Sequence, residues 1–267
     1  MNKLTLMCVT SCTAMLAGNA FSAFILIDNF SGYTDNAAVA GANGWIAGAG
    51  GTGYAAVTDP NNAANMVLDR TSGGQHGILI NSTGINIPEG SSGTLFYRML
   101  DTDANNDTFV GLQELGGNSS AIDAGLGGAA LKGENSSTSL FTYPASVSLV
   151  NNLEGTNLAP LWYNIWIVAK NNVGTGDTFD VYLQGGTNYI AQTQVGTNLA
   201  AGGVAGALGE LKIGVWDTRI VALDDFYADS SGVNLANPTI PEPSTFAALG
   251  GLLAVAVALL RRRISGK

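Results

Sequence analysis

The segment Asp101-x-Asp103-x-Asn105-Asn106-Asp107 places side-chain oxygens at alternate positions. Hard cations such as Ca²⁺ take that kind of donor. An EF-hand loop needs glycine at its sixth position and glutamate at its twelfth, and Asn106 and Leu112 stand there instead. The segment is therefore no EF-hand, but Asp101, Asp103, Asn105 and Asp107 remain a candidate Ca²⁺ turn. The plain alternative is a solvated hairpin turn. Asp224-Asp225 offers the same chemistry with fewer ligands.

Other chemistry is sparse. His76 is the single histidine, in Gly73-Gly74-Gln75-His76-Gly77. No GxSxG elbow accompanies it, so a Ser/His/Asp triad has no frame. Zinc wants more His or Cys than this chain offers. Glycoside hydrolysis needs two carboxyl groups ~5–9.5 Å apart. The glutamates Glu89, Glu114, Glu134, Glu154 and Glu210 are scattered singly, with no ExDxxE-like run. Trp162 and Trp166 lie four apart, on one face of a strand, and such a pair can stack on a sugar ring. Aromatic residues on strands more commonly fill a core, because each buries a large apolar area.

The elements that must position these residues read as strands. Phe24 to Phe30 is a strand entering a turn. Ala37 to Gly53 is loop with short extended pieces. Asn65–Leu68 and Gly77–Ile80 are short strands. Gly93–Leu100 carries apolar residues on both faces, as a strand inside a sandwich does. Asp107–Leu112 is expected to return as its partner. Ala121–Lys132 reads as a weak hairpin. The strongest hairpin runs from Leu161 to Gln184, with Asn and Gly in its turn where positive φ is tolerated. Leu211–Trp216 and Arg219–Tyr227 read as a further pair, turning at Asp217-Thr218. No amphipathic helix is evident, so the fold class is all-β, a two-sheet β-sandwich.

The chain has 267 residues and a net charge of −9. Between Phe24 and Ile240 acids outnumber bases by about three to one. Such a surface repels phosphate backbones, which argues against nucleic acid as a partner. Both cysteines, Cys8 and Cys12, lie in the first 23 residues. That stretch has Lys3, then an apolar run, then small residues, and reads as a secretory signal peptide cleaved after Ala20 or Ala23. It implies export through the Sec translocon and a mature chain without disulfides.

The far end has three parts: Pro241-Glu242-Pro243-Ser244-Thr245, the uncharged run Phe246–Leu260, and Arg261-Arg262-Arg263. As a helix the run reaches ~22 Å, short of the ~30 Å hydrocarbon core, so it spans a bilayer only with local thinning or snorkelling. The arginines hold the C-terminus on the cytoplasmic side. This order of parts resembles the PEP-CTERM sorting tail of Gram-negative bacteria. The resemblance implies a precursor held in the inner membrane and processed by exosortase near Pro241–Pro243. It also implies an association with exopolysaccharide and biofilm.

The expected layout is a signal peptide (1–23), a sandwich (24–229), a linker (230–240) and a sorting tail (241–267) with an apolar transmembrane helix (246–260). Ile27-Asp28-Asn29-Phe30, the hairpin with Trp162 and Trp166, and Leu223-Asp224-Asp225-Phe226-Tyr227 together resemble concanavalin-like or laminin-G-like jelly rolls. The expected function is that of an exported, non-catalytic structural or glycan-binding module facing extracellular polysaccharide, at the cell surface or released. A jelly-roll polysaccharide hydrolase or lyase is the alternative.

Overall fold

The computed structural model describes residues 24–48, 51–70, 77–101, 108–115, 130–134, 139–143, 148–150, 153–155, 159–174, 176–201, 206–215 and 222–238. The expected signal peptide and the expected sorting tail, with Pro241, Glu242, Pro243 and Arg261 to Arg263, lie outside these residues. Among the described residues no helix is long and apolar enough to cross a membrane. The chain divides into two compact units, Met1–Asn234 and Leu235–Lys267, and every strand belongs to the first.

In chain order the strands are β1 (Ile25–Asp28), β2 (Ala37–Ala38), β3 (Trp45–Ala47), β4 (Tyr54–Asp59), β5 (Asn62–Arg70) and β6 (Gly77–Asn81). Next come β7 (Ser91–Asp101), β8 (Thr108–Glu114), β9 (Ala130–Glu134), β10 (Ser139–Tyr143) and β11 (Ser148–Val150). The last are β12 (Leu161–Asn171), β13 (Thr178–Gly185), β14 (Tyr189–Ala200), β15 (Leu208–Val215) and β16 (Leu223–Asp229). The large sheet has the order β14-β13-β12-β7-β16-β5-β4-β2, with β1 also on β16. The small sheet has the order β11-β10-β9-β8-β15-β6-β3. All pairings between these strands are antiparallel. The result is an all-β sandwich of two sheets, consistent with a jelly roll.

The expected β12–β13 hairpin forms, with Trp166 opposite Tyr182. Two expected pairings do not. Asp107–Leu112 is not the partner of Gly93–Leu100: β7 sits between β12 and β16 in the large sheet, while β8 lies in the small one. Likewise Leu211–Trp216 does not turn back on Arg219–Tyr227: β15 pairs with β8 and β6, and β16 with β7. In both places the chain crosses between layers instead of turning within one. Alternating apolar residues satisfy either layer equally, so the pattern alone does not choose. β14, with its polar and uncharged sequence, had no signal strong enough to be read as a strand.

Between the sheets lies a continuous apolar core. From β12 it takes Tyr163, Ile165, Ile167 and Ala169, and from β15 Leu211 and Ile213. The alternation of a strand turns Trp162, Asn164, Trp166 and Val168 to the outer face of the large sheet. One buried carboxylate joins the layers at the start of the chain. Asp28, in β1 of the large sheet, accepts hydrogen bonds from Trp45 Nε1 of β3 in the small sheet (2.8 Å) and from the Phe30 backbone N–H (2.9 Å). Tyr33 Oη (3.1 Å) and Asn43 Nδ2 (3.4 Å) complete the set. Phe30 has a φ of 55°, rare for a bulky residue, and its ring stacks on Trp45 with centroids 6.2 Å apart.

Replacing Asp28 with Ala leaves the Trp45 indole N–H buried without its acceptor and frees the Phe30 backbone. Hydrogen bonds to a charged group contribute roughly 1.5–3 kcal/mol each, so Asp28→Ala should lower the unfolding free energy by at least ~3 kcal/mol. Urea denaturation of the variant checks this. A loss below ~1 kcal/mol would mean that water replaces the carboxylate.

Candidate functional site

The outer face of the large sheet carries two rows of side chains in register. The first is aromatic: Tyr182, Trp166, Phe96 and Tyr227 occupy successive strands β13, β12, β7 and β16. Phe96 meets Trp166 at 5.1 Å and Tyr227 at 6.1 Å between centroids, and Phe24 covers Phe96 at 6.2 Å. Trp166 is consequently 0% exposed, which rules it out as a sugar platform. It closes the outer layer instead.

The second row is polar. Gln184, Asn164, Arg98 and Asp224 stand opposite one another on β13, β12, β7 and β16, and Asn65 of β5 follows. Neighbouring strands lie ~4.8 Å apart, so four intervals carry this row across ~19 Å. Arg98 Nη1 lies 3.0 Å from Asp225 Oδ2 and 3.8 Å from Asp224 Oδ2. Its guanidinium carbon stands 4.4 Å from the centre of the Trp162 ring, a cation–π contact. Trp162 is half-buried, resting on the apolar group Val67, Leu100 and Ala222. Asn65 Nδ2 donates to Asp224 Oδ2 (2.9 Å) and approaches Asp59 Oδ2 (3.3 Å). Among the described residues the Asn164 side chain makes no hydrogen bond.

Two consecutive aspartates reach one guanidinium because β16 bulges between them and Tyr227. Asp224 pairs with Arg98 and Tyr227 with Phe96, so Asp225 and Phe226 share the single residue Tyr97 as their opposite. Asp225 has a φ of 53°, and its own backbone N–H donates to Asp224 Oδ1 at 2.8 Å. A regular strand would send Asp225 into the core, and the extra residue keeps it on the outer face. Burial, and next the charge of Asp225, push the Asp224 carboxyl up to about 7. The Asp224 side chain is 2% exposed, against 15% for Asp225 and 24% for Arg98.

The sequence candidates fare unequally. Trp162 falls in the site and Trp166 beside it, in the covered aromatic row. Asp224-Asp225 falls in the site, but Arg98 takes the place that a bound cation would fill. Asp101 is buried, and its Oδ2 accepts the Gly155 backbone N–H at 2.7 Å, so it is no solvated turn ligand. Asp103, Asn105, Asp107 and His76 lie outside the described residues. Among the described residues no group of three or more His, Cys, Asp or Glu is placed to hold a metal ion. Arg98, Asn164, Gln184 and Asn65 went unnoticed in the sequence. The usable signal was a polar residue at the middle of an otherwise aromatic and aliphatic strand, as at Asn164 and Arg98.

The pH dependence follows from Asp224. Its folded-state pKa lies above the ordinary carboxylate value, so between pH ~4 and ~7 the folded chain holds a proton that the unfolded chain has released. This contribution favours folding at low pH and fades as pH rises through 7. Thermal melts should show stability falling over that window, by a few kcal/mol at most. Asp224→Asn should flatten the slope whatever its absolute stability, and an unchanged slope would assign the proton elsewhere.

No protein-family model matches this chain, and no curated protein matches it. Solved structures with a similar arrangement do exist. One is a galectin-like-fold protein of unknown function from Bacillus subtilis, 9% identical, covering 76% of this chain and 100% of its own, with a TM-score of 0.43. The cellulose-induced protein Cip1 is 13% identical over 78% of this chain and 99% of its own, with a TM-score of 0.42. An endo-β-1,4-glucuronan lyase from the fungus Trichoderma reesei is 11% identical over 75% of this chain and 95% of its own, with a TM-score of 0.38. At this level the likenesses assign neither a family nor an activity.

Proposed function

We propose that this chain is an exported cell-surface or matrix protein whose sandwich binds extracellular polysaccharide without transforming it. The observation that carries the reading is Trp162, half-buried and fixed by Arg98 at 4.4 Å, in a sheet face where the Asn164 amide beside it makes no hydrogen bond among the described residues. A sugar ring offers an apolar face for an aromatic ring and hydroxyls for amides and carboxylates. Rigid aromatic anchors flanked by polar groups are the usual composition of such sites. The salt bridge and the packing under Trp162 hold its rotamer before any ligand arrives, which lowers the ordering cost of binding.

The hydrolase or lyase alternative would recruit Asp224, whose raised pKa suits a general acid. A general acid must reach the proton acceptor. Asp224 is sealed at 2% exposure beneath Asp225 and Arg98, so binding is the better reading.

The address of the protein is the second part of the proposal. The signal peptide sends the chain through the Sec translocon. The apolar run and arginines hold it in the inner membrane, and exosortase processes it at Pro241–Pro243. The acidic sandwich is then displayed or released outside, where exopolysaccharide is the expected partner.

Affinity electrophoresis of the full chain in gels loaded with soluble polysaccharides tests the binding, with and without EDTA. Trp162→Ala should weaken retention at least tenfold, about 1.4 kcal/mol, with far-UV circular dichroism showing the sheet fold retained. Release of reducing ends or unsaturated sugars would reject the non-catalytic reading. Mass spectrometry of the exported protein should place its C-terminus at or near Pro241–Pro243, and a mature form ending at Lys267 would reject the sorting step.

A further inference from the structure

We infer that the ligand is a neutral, hydroxyl-rich glycan lying across the strands along the Gln184–Asn164–Arg98–Asp225 row, and that polyuronates are rejected. This rests on the binding role proposed above and narrows it to a chemical class.

The argument is one of charge and free valence. Among the described residues two cations stand on this face, and each is engaged. Arg98 is held by Asp225 at 3.0 Å and by Asp224 at 3.8 Å. Lys170 Nζ lies 2.8 Å from Asp180 and donates to Asn198 Oδ1 at 2.6 Å. Recognition of a uronate carboxylate wants a free guanidinium fork or ammonium. Here the fork is turned to aspartate and its plane to Trp162. Asp59 adds a further buried carboxylate behind Asn65, and the whole chain carries a net charge of −9. A polyanion approaching this face meets repulsion with no unengaged cation among the described residues to offset it.

What the row does offer suits hydroxyls. Asn164 has both amide functions available among the described residues. Gln184 uses its Nε2 on the Ile190 carbonyl at 3.1 Å, which leaves its oxygen as an acceptor. Asp225 keeps one carboxylate oxygen beyond its bond to Arg98, and its side chain is partly exposed at 15%. Donor and acceptor groups spaced along ~14 Å, three strand intervals, fit an extended chain better than a single residue. The Trp162 ring, one strand pleat away from Asn164 on β12, supplies the stacking surface at one side of the row.

Three polysaccharides distinguish the outcomes when run against the full chain by affinity electrophoresis: hydroxyethyl cellulose and dextran, both neutral, and polygalacturonate. Retention by at least one neutral glucan, ten times or more stronger than by polygalacturonate, is expected. Asn164→Ala should reduce neutral-glucan retention at least threefold with an unchanged melting midpoint. Asp225→Asn frees Arg98 and should raise polygalacturonate binding relative to neutral glucan. Stronger retention by polygalacturonate, lost in Trp162→Ala and weakened by salt, would overturn the charge inference while leaving the binding role intact. Retention by none of the three overturns both. Neutral-glucan binding that survives Asn164→Ala and Trp162→Ala together would place the site elsewhere and overturn the inference.

Discussion

The sandwich depends on a buried carboxylate, Asp28, that among the described residues has no cation beside it. Asp28 is 5% exposed, and taking such a charge out of water costs several kcal/mol unless hydrogen bonds replace the solvent. The Trp45 indole, the Phe30 backbone, the Tyr33 hydroxyl and the Asn43 amide supply them. Burial, helped by the neighbouring Asp28 charge, holds the Tyr33 hydroxyl well above its usual range, so it stays a donor. Of the four donors Trp45 lies in β3 of the small sheet, and Phe30, Tyr33 and Asn43 lie in the turns between β1 and β3. A strand at the start of the domain is thereby fastened to both layers by hydrogen bonds, in a stretch that from Phe24 onward contains no cysteine.

That fastening reaches the outer face through the core. Asp28 fixes Phe30 and Trp45, and both rings meet Phe226 edge-on, at 6.2 and 5.9 Å between centroids. Phe226 in turn stacks on Tyr97 at 5.7 Å. Phe226 is the inward half of the bulge in β16, and Asp225 is its outward half. The aromatic packing inside thus keeps an extra residue in the strand, and the extra residue sets a second carboxylate beside Arg98 outside. A left-handed backbone at Asp225 is unfavourable by roughly 1–2 kcal/mol for an ordinary residue, and the rings beneath it hold it there. The site is built from the core outward.

The legible part of the sequence was the set of strands with aromatic and β-branched runs, above all β12 and β13. Sheet membership was hidden where β7 is followed by β8 and β15 by β16, because proximity in sequence suggests a hairpin while the alternation fits either layer. Ile27-Asp28-Asn29-Phe30 drew notice as a strand end, but nothing local says that Asp28 waits for Trp45, 17 residues on. Arg98 and Asp225 are separated by 127 positions, so their pairing is a product of strand order alone. The same is true of the aromatic row. Trp162 and Trp166 share a face, as their spacing requires, yet they differ in exposure because Phe24 and Phe96 arrive from elsewhere in the chain.

The raised pKa of Asp224 belongs to a buried network of charges on this face. A perturbed carboxyl commonly marks catalysis, but structural networks perturb pKa values too. Here desolvation is the largest cause, and the group is shut off from solvent by the ion pair above it. Its proton has a plain structural use: with Asp224 neutral, the remaining Arg98–Asp225 pair balances. With Asp224 ionised, two carboxylates compete for one guanidinium. Below neutrality the Arg98–Asp225 ion pair stands beside a neutral Asp224, and above it the site gains an unbalanced negative charge. In either state the Asp224 side chain, 2% exposed, stays covered by the pair.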